Sequence, residues 1–453
     1  MDRCFRLLLS VCIWTVGWPW GWVDGGPVHQ EPAMQFTPTE PIMDEPVIIR
    51  ITGLPGKAKV TVRAFLESAP EWQSEATFAA NDEGVVDVSQ QAPLSGSYTG
   101  TDAMGLFWSM TAKSATTTPA TPQPTKASTR SVTDPRLTVF EVVVNGQTQT
   151  TAKLKRWLAR PGLQIKEVRE QGLVGRLFTP APPGKYPALL VLSGSEGGIP
   201  ETEAALLASH GYCAFALAYF NAPSLPDQLM NIPLEYLKQG IDWLLAQEQV
   251  DRERIGVIGG SKGGELSLLL AATFPEIKAV VAKVPSSVVW AGIPKGGMAF
   301  GSSWKYQDQA LPFLPFSFNA EVFRKMRGTE PVALLDLYAP ALKNTQAVQR
   351  ALIPVEKIHG PVLLISGTDD RMWPSAEMSD MVVERLKQKG FTHPVQHLKY
   401  AGAGHGILSM YVPIKQSLIM GRYDLGGTVQ ANARAQADSR KQTLAFLAQA
   451  LKQ

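Results

Sequence analysis

Residues 255–272 read IGVIGGSKGGELSLLLAA, and this stretch indicates the fold of the larger part of the chain. Ile255–Ile258 is a short apolar run typical of a buried strand, and Glu265–Ala272 has the leucine and alanine content of a helix. Between them Ser261 fits the pattern G-x-S-x-G, which predicts a nucleophile elbow in this context. The flanking glycines are needed because the strand and helix backbones pass close together. The alternative is a glycine-rich turn with an incidental serine.

The chain from about residue 163 to 453 alternates between strand-type and helix-type segments. The strand-type runs are Tyr186–Leu192, Tyr212–Phe220, Ala279–Val284 and Val362–Ser366, and the helix-type runs are Glu201–His210, Ile232–Gln247, Ala376–Lys389 and Arg434–Leu451. This alternation predicts an α/β catalytic domain with a doubly wound, mostly parallel sheet. Residues 286–355 interrupt it with proline, glycine and aromatic residues, and we expect them to form a cap over the active site.

Residues 34–160 have a different pattern, with short alternating strands joined by turn signals. Lys59–Phe65 alternates as a half-buried strand, and Leu137–Val144 is another. This pattern predicts an all-β sandwich. Within it, residues 112–134 are rich in Thr, Ser, Ala and Pro, which predicts a disordered insertion.

Bulk properties narrow the function classes. At 453 residues the chain is long enough for two domains. The net charge of +3 is small and no basic run occurs, which argues against a nucleic-acid partner. No Cys/His spacing of a metal site is present, and we expect neither a metal nor a cofactor.

Residues 1–26 resemble an export signal. Arg3 and Arg6 form a basic start, Leu7–Trp22 is almost wholly apolar, and small residues follow. This predicts an exported protein, periplasmic or secreted, with an uncleaved membrane anchor as the alternative. No later segment is apolar and long enough to span a bilayer. After signal removal Cys213 is the lone cysteine, and its apolar surroundings predict a buried thiol.

A nucleophilic serine needs a base, an orienting acid and an oxyanion site. In α/β-hydrolases the acid and the base follow the serine in the order Asp, His. The run Val362–Asp370 is a buried strand that leads into Gly367 and two aspartates, and a carboxylate there lies in the functional crevice. We predict Asp370 as the acid, with Asp369 as the alternative; both aspartates as plain turn residues is the other reading.

The base and the oxyanion donors follow from the same logic. His405 lies between glycines directly after the last strand pattern, which predicts that it is the base. The amide of Lys262 follows the nucleophile, and Ser195, in the glycine-rich loop after Tyr186–Leu192, is the expected second donor. That loop has an ordinary glycine turn as its alternative. The side chains of Lys262 and Glu265 are expected to support the elbow or to face solvent.

These strings together resemble the acyl-CoA thioester hydrolase / bile acid-CoA:amino acid N-acyltransferase family over nearly the whole chain. The residues that carry the resemblance are Asp44-Glu-Pro-Val, Gly53-Leu-Pro, Ser95-Gly-Ser-Tyr, Met104-Gly-Leu-Phe-Trp-Ser-Met110, Gly194-Ser-Glu-Gly-Gly, Ala216-Leu-Ala-Tyr-Phe-Asn221, Gly260-Ser-Lys-Gly-Gly-Glu265 and Gly402-Ala-Gly-His405. The resemblance implies an Ig-like N-terminal domain, an α/β-hydrolase domain, and cleavage of acyl-CoA thioesters through Ser261, Asp370 and His405.

The resemblance also bears on the acceptor and the substrate. Family members that conjugate bile acids carry Cys at the position of Ser261, so the resemblance implies water as the acceptor. Family members that act on acyl-CoA work inside cells, whereas this chain has the pattern of an exported protein. The substrate is therefore expected to be a small acyl thioester or ester. The alternatives are an exported esterase or amidase with the same triad, and a non-catalytic binding protein.

Overall fold

The computed structural model describes residues 31–113, 131–296, 300–318, 320–407 and 409–452. The predicted signal at residues 1–26 lies outside the described residues, as does most of the predicted disordered insertion. At the margins of that insertion, Ala112 belongs to a strand and Val132 is buried, with 8% of its surface exposed.

The N-terminal part, which we call the β region (residues 31–113 and 131–157), consists of two antiparallel sheets and one short helix. Its elements are β1 Ala33–Thr37, β2 Ile48–Thr52, β3 Lys59–Leu66, β4 Ala69–Ala79, β5 Val86–Asp87, β6 Ser95–Gly96, α1 Gly105–Trp108, β7 Thr111–Ala112, β8 Arg136–Val144 and β9 Gln147–Arg156. The first sheet has the order β1-β2-β5, and the second has the order β6-β4-β3-β8-β9 with β7 paired to β4.

The two sheets of the β region enclose one apolar core. Its fully buried residues include Val60 and Val62 of β3 and Ile49 and Ile51 of β2. Alternate residues of β3 face this core because side chains of a strand point to opposite faces. The sandwich arrangement agrees with the sequence pattern, while the immunoglobulin-like class of this region stays a prediction.

The remaining elements belong to the α/β part of the chain. Its strands are β10 Gln164–Val168, β11 Val174–Thr179, β12 Tyr186–Leu192, β13 Cys213–Ala218, β14 Ile232–Pro233, β15 Val250–Gly260, β16 Ala279–Lys283, β17 Trp304–Tyr306, β18 Gln309–Ala310, β19 Val362–Gly367, β20 Val395–Tyr400, β21 Ile419–Met420 and β22 Tyr423–Asp424. Its helices are α2 Glu201–Ser209, α3 Leu234–Leu245, α4 Lys262–Thr273, α5 Ala320–Arg327, α6 Leu335–Tyr338, α7 Thr345–Ala351, α8 Ser375–Gln388 and α9 Val429–Leu451, with 3-10 turns at Ala341–Lys343, Val355–Lys357 and Ile414–Ser417.

Eight strands form one mixed sheet in the order β10-β11-β13-β12-β15-β16-β19-β20. The pairs β10–β11 and β11–β13 are antiparallel, and the other pairs are parallel. Leu190 of β12 packs in a core with α3, α4 and α8, whereas its neighbours Leu189 and Val191 pack in a second core with α2 and α9. Helices therefore cover both faces of the sheet, as the sequence predicts for an α/β-hydrolase fold.

Residues 286–355 form the irregular segment that the sequence predicts. The segment contains the helices α5, α6 and α7, and its strands β17 and β18 form a small sheet with β14, which precedes α3. Trp290, Leu314 and Tyr338 form a separate apolar core with Trp373 from the loop after β19. Among the helices in the described ranges, none is long and apolar enough to cross a membrane.

Candidate active site

Ser261 lies at the turn between β15 and α4, in the centre of the eight-stranded sheet. Its backbone has φ 56° and ψ −121°, which is a strained conformation for a residue with a side chain. Its amide donates a 2.9 Å hydrogen bond to the Lys283 carbonyl at the end of β16. The predicted strand–serine–helix turn is therefore present, and its strain is the kind that accumulates at functional sites.

Two glycines make this turn possible. A Cβ on Gly259 would lie 2.4 Å from the Gly263 carbonyl oxygen, and a Cβ on Gly263 would lie 2.3 Å from the Ser193 carbonyl oxygen. Both distances are too short for any side chain, so glycine is required at these positions because the strand and helix backbones pass close together, as predicted. The second contact also brings the start of α4 against the loop after β12.

Asp370 and His405 meet at the same edge of the sheet, although 35 residues separate them. The His405 Nδ1 atom lies 2.9 Å from Asp370 Oδ2, and the two side chains are 9% and 1% exposed. Register explains the meeting, because Gly367 at the end of β19 pairs with Tyr400 at the end of β20. The loops that follow both strands then leave the sheet side by side.

The Asp370 carboxylate accepts hydrogen bonds on both oxygens. Oδ1 accepts from the amides of Met372 and Trp373, at 3.0 and 3.2 Å. Oδ2 accepts from the Ser375 hydroxyl at 2.6 Å in addition to the His405 ring. These contacts fix the position of the carboxylate, which suits a group that orients an imidazole.

Asp369, the alternative acid, has a different environment. Its side chain is 39% exposed, lies 3.3 Å from Arg371, and accepts a hydrogen bond from the Gly427 amide. The structure brings Asp370 and not Asp369 against His405.

The predicted oxyanion donors lie on the two sides of Ser261. Lys262 is the first residue of α4, and the first amides of a helix have no intrahelical acceptor. In the loop after β12, the Gly194 amide donates to the Glu196 carboxylate, so the next amide, that of Ser195, is the candidate donor of this loop. Ser195, Lys262, Ser261 and His405 line one cavity.

The side chains of Lys262 and Glu265 form a buried ion pair and do not face solvent. Their side chains are 2% and 0% exposed, and Lys262 Nζ lies 2.6 Å from Glu265 Oε1. The same oxygen accepts from the Trp304 indole at 2.7 Å and from the Trp290 amide at 3.4 Å. Burial raises the pKa of Glu265 and lowers that of Lys262. The pair thus joins the elbow helix to the segment of residues 286–355.

Two cavities meet at Ser261 and His405. One of about 530 Å³ runs beneath the segment of residues 286–355, and its remote wall is apolar: Phe316, Phe318, Met326, Leu334, Leu337 and Tyr338. The other, of about 780 Å³, runs towards the β region. It is lined by charged side chains, including Glu203 and Lys283, as well as apolar ones.

The charged side chains of the larger cavity are paired. Glu203 lies 3.0 Å from Lys283 and 3.0 Å from Arg440. Burial alone would raise the pKa of Glu203, but Lys283 and Arg440 outweigh burial and bring that pKa to about 2. Sequence reasoning did not single out these residues, although Lys283 ends the strand beside the elbow strand.

Ser375, the first residue of α8, was also missed, and its signal is weak because a serine at the start of a helix is ordinary. No group of three or more His, Cys, Asp or Glu side chains suited to a metal ion occurs in the parts of the chain that the structure describes.

Comparison with known families places the chain. Residues 44–170 match the family "Acyl-CoA thioester hydrolase/BAAT N-terminal region", and residues 232–453 match "BAAT / Acyl-CoA thioester hydrolase C terminal".

Two curated proteins are similar to this chain along most of their own length. Acyl-coenzyme A thioesterase 2, mitochondrial, of Mus musculus is 31% identical, over 89% of this chain and 86% of the relative. Acyl-coenzyme A amino acid N-acyltransferase 1 of Mus musculus is 30% identical, over 90% of this chain and 95% of the relative. Among solved structures, a Mycobacterium tuberculosis puromycin-hydrolyzing peptidase is 17% identical with a TM-score of 0.42, over 70% of this chain and 44% of that one. The two family matches and the two relatives together establish that the chain belongs to the acyl-CoA thioester hydrolase / bile acid-CoA:amino acid N-acyltransferase family.

Proposed function

We propose that this protein is a serine hydrolase that cleaves fatty acyl-CoA thioesters to free fatty acid and CoA. His405 takes the proton of the Ser261 hydroxyl as that oxygen attacks the thioester carbonyl, and Asp370 holds the imidazole in the required tautomer. The amides of Lys262 and Ser195 stabilise the oxyanion. His405 then protonates the leaving thiolate. In the second half-reaction His405 takes a proton from the water that attacks the acyl-enzyme, and it returns that proton to the Ser261 oxygen as the ester bond breaks.

One observation carries this proposal. The strained Ser261 and His405 line the same cavity, and the buried Asp370 carboxylate lies 2.9 Å behind the His405 ring, although the three residues come from three separate loops. Strain at a serine and burial of a carboxylate are both costly, and a fold retains such costs together where they serve a reaction.

The two cavities support an acyl substrate in particular. The cavity beneath residues 286–355 has an apolar remote wall and suits an acyl chain. The larger, more polar cavity would then receive the leaving group. Serine at position 261 favours water as acceptor, because an oxygen ester is the ordinary intermediate of hydrolysis.

Replacement of Ser261 by alanine tests this proposal. Ser261→Ala should lower the rate of CoA release from palmitoyl-CoA by on the order of 10³-fold or more. Ser267→Ala is the matched control, because Ser267 lies on the same helix and its hydroxyl donates to the Gly263 carbonyl within that helix. We expect a fluorophosphonate to label the wild type and Ser267→Ala, and to leave Ser261→Ala unlabelled. Near wild-type turnover in Ser261→Ala would refute the mechanism.

The second candidate is an exported esterase or amidase with the same three residues. The observation that favours it is the basic and then apolar start of the chain, Arg3 to Trp22, because acyl-CoA is scarce outside the cytoplasm. N-terminal sequencing of protein from the native host distinguishes the two. A start near Gly25–Gln30 together with faster turnover of p-nitrophenyl esters than of palmitoyl-CoA favours the esterase. A start at Met1 favours the thioesterase.

We further infer that the β region is an Ig-like domain. Its two antiparallel sheets around one core support this class. A solved structure of the region with a different strand connectivity would contradict it.

A further inference from the structure

The segment that follows His405 contacts the β region through its backbone. The Tyr411 amide donates a 2.9 Å hydrogen bond to the Met43 carbonyl. The Tyr411 carbonyl accepts a 2.8 Å hydrogen bond from the Arg156 guanidinium, at the end of β9. Both backbone polar groups of Tyr411 are therefore satisfied by residues of the β region.

The same segment also enters the core of the β region. Ile414 is fully buried in the cluster that contains Phe107 and Phe140, and Leu418 packs against that cluster. Burial of an isoleucine side chain contributes as much to the free energy of folding as burial of other large apolar side chains. This contact therefore holds residues 409–418 on the β region.

Residues 417 and 418 in turn hold the backbone of His405. A Cβ on Gly406 would lie 2.5 Å from the Ser417 carbonyl oxygen, so the backbone segments at Gly406 and Ser417 are in direct contact. The Leu425 amide donates to the Leu418 carbonyl at 2.8 Å, and the His405 amide donates to the Leu425 carbonyl at 2.7 Å. The position of His405 thus depends on a segment whose other side is attached to the β region.

Arg156 makes this attachment with a buried charged group, which costs free energy of folding. Its surface is 1% exposed, and its guanidinium lies over the Phe107 ring at 4.2 Å. Its Nε atom has no acceptor among the described residues, and the hydrogen bond that its guanidinium donates goes to a neutral carbonyl. A buried cation with so few partners costs free energy that an apolar side chain would not cost, so stability alone does not account for it.

A second contact connects the β region to the same segment through charges. Asp44, whose side chain is fully buried, pairs with Arg440, which pairs with Glu203. Glu203 pairs with Lys283, and the Lys283 ammonium donates to the Ser409 hydroxyl. The Lys283 carbonyl accepts the Ser261 amide, so this chain of contacts ends at both the serine and the histidine side of the site.

We propose that the β region is a positioning element for the general base, and that Arg156 and Ile414 are the positioning residues through which it holds the His405 loop. This inference rests on the proposed function, because it assigns His405 the role of base. It gives the β region a part in the reaction that does not require contact with the substrate.

The test compares three variants of the full chain with the wild type, and Arg156→Lys is added as the conservative variant. Arg156→Met keeps an unbranched side chain and removes both the charge over Phe107 and the donor to Tyr411. Ile414→Val removes one methyl group from the loop side of the shared core, and Ile51→Val removes one methyl group from the strand side of the same core. Each protein is measured for its urea unfolding midpoint and for the rate at which a fluorophosphonate labels Ser261. That rate needs the serine and its base but no acyl-CoA.

We expect Arg156→Met to slow labelling by about ten-fold or more, because small displacements of catalytic groups have large effects on rate. Ile414→Val should slow labelling by about three-fold, whereas Ile51→Val should label at the wild-type rate despite a comparable loss of stability. For Arg156→Met we expect kcat for palmitoyl-CoA to fall and KM to stay within about two-fold, because the change acts on the base and not on binding. Arg156→Lys, which restores a donor, should recover part of the rate.

Three outcomes separate the inference from the function on which it rests. If the wild type labels at Ser261 and all three variants label at its rate, the positioning role is refuted and the proposed function stands. If Ile51→Val slows labelling as much as Ile414→Val, the β region acts through stability alone, which also refutes the positioning role. If the wild type does not label at Ser261, the proposed function fails and the inference fails with it.

Discussion

Replacement of Asp370 by asparagine preserves the shape of the side chain and changes one atom that faces His405. The two amides of Met372 and Trp373 are fixed donors, so they require the asparagine oxygen at the position of Oδ1. The asparagine NH2 group then occupies the position of Oδ2, 2.9 Å from His405 Nδ1. The Ser375 hydroxyl adapts by rotation and accepts one of the new N–H groups.

The consequence for His405 follows from hydrogen-bond direction. An N–H group opposite Nδ1 forces that nitrogen to accept, so the ring proton moves to the other nitrogen and the ring no longer accepts the Ser261 proton. In serine triads this change lowers kcat by about 10⁴-fold. By the relation of 1.36 kcal/mol per tenfold change in rate, that loss is about 5.5 kcal/mol of transition-state stabilisation. The free energy of unfolding should change by no more than about 1 kcal/mol, because the two amide hydrogen bonds are kept and those to Ser375 and His405 only reverse their direction.

The assay is the kcat of CoA release from palmitoyl-CoA, measured beside the urea unfolding midpoint. Asp369→Asn is the matched control, because its carboxylate is 39% exposed and pairs with the half-exposed Arg371. Exposed pairs contribute about 0–1 kcal/mol, so this variant should keep its activity within about two-fold. Retention of more than about a tenth of the activity in Asp370→Asn would refute the assignment, given the expected loss of about 10⁴-fold. Loss in Asp369→Asn alone would move the acid to Asp369.

Three further predictions concern buried groups. The pKa of Glu203 is about 2, below its ordinary value of 4.5, so the stability that its ionised form gives the fold is complete above pH 4.5 and is lost as the pH falls towards 2, a loss of about 3 kcal/mol. Glu203→Gln should therefore flatten the acid limb of a urea stability profile, and profiles that run parallel for variant and wild type would contradict this. Glu265→Gln leaves the Lys262 charge unpaired and should cost about 3–5 kcal/mol of unfolding free energy, most of which the added change Lys262→Met should restore; a double variant as unstable as the single one would contradict a pair. Cys213 is buried and burial raises its pKa to about 11, so a thiol reagent should modify it only after denaturation; rapid reaction of the native protein would show that the strand opens.

The α/β part of the fold was predictable because its strands are buried on both faces. Tyr186–Leu192 and Val362–Gly367 are continuous apolar runs, and the structure has both as strands of the central sheet. Edge strands lack that signal: β9 reads QTQTTAKLKR and β20 reads VQHLKY, and most of their residues are exposed or half-buried. Their hydrogen bonds to neighbouring strands, and not their composition, define them.

The placement of the site residues was predictable for a related reason. In a parallel sheet the carboxyl ends of the strands share one edge, so residues after different strands meet whatever their distance in sequence. The ambiguity between Asp369 and Asp370 was not resolvable, because adjacent turn residues differ only in which way the loop directs them. The ion pair of Lys262 and Glu265 was also undetermined, since a charged pair at this spacing is ordinarily exposed.

The buried charges between the β region and the hydrolase sheet follow no local pattern. Arg156 ends a polar edge strand, and its acceptor on Tyr411 lies 255 residues away. Asp44 and its partner Arg440 are 396 residues apart. Apolar contacts alone tolerate several relative placements of two surfaces, whereas a buried charge tolerates only the placement that satisfies it. We therefore expect these costly contacts to set the register between the two parts of the chain. They lie beside the loop that carries His405, where a displacement of about 1 Å would cost about a hundredfold in rate.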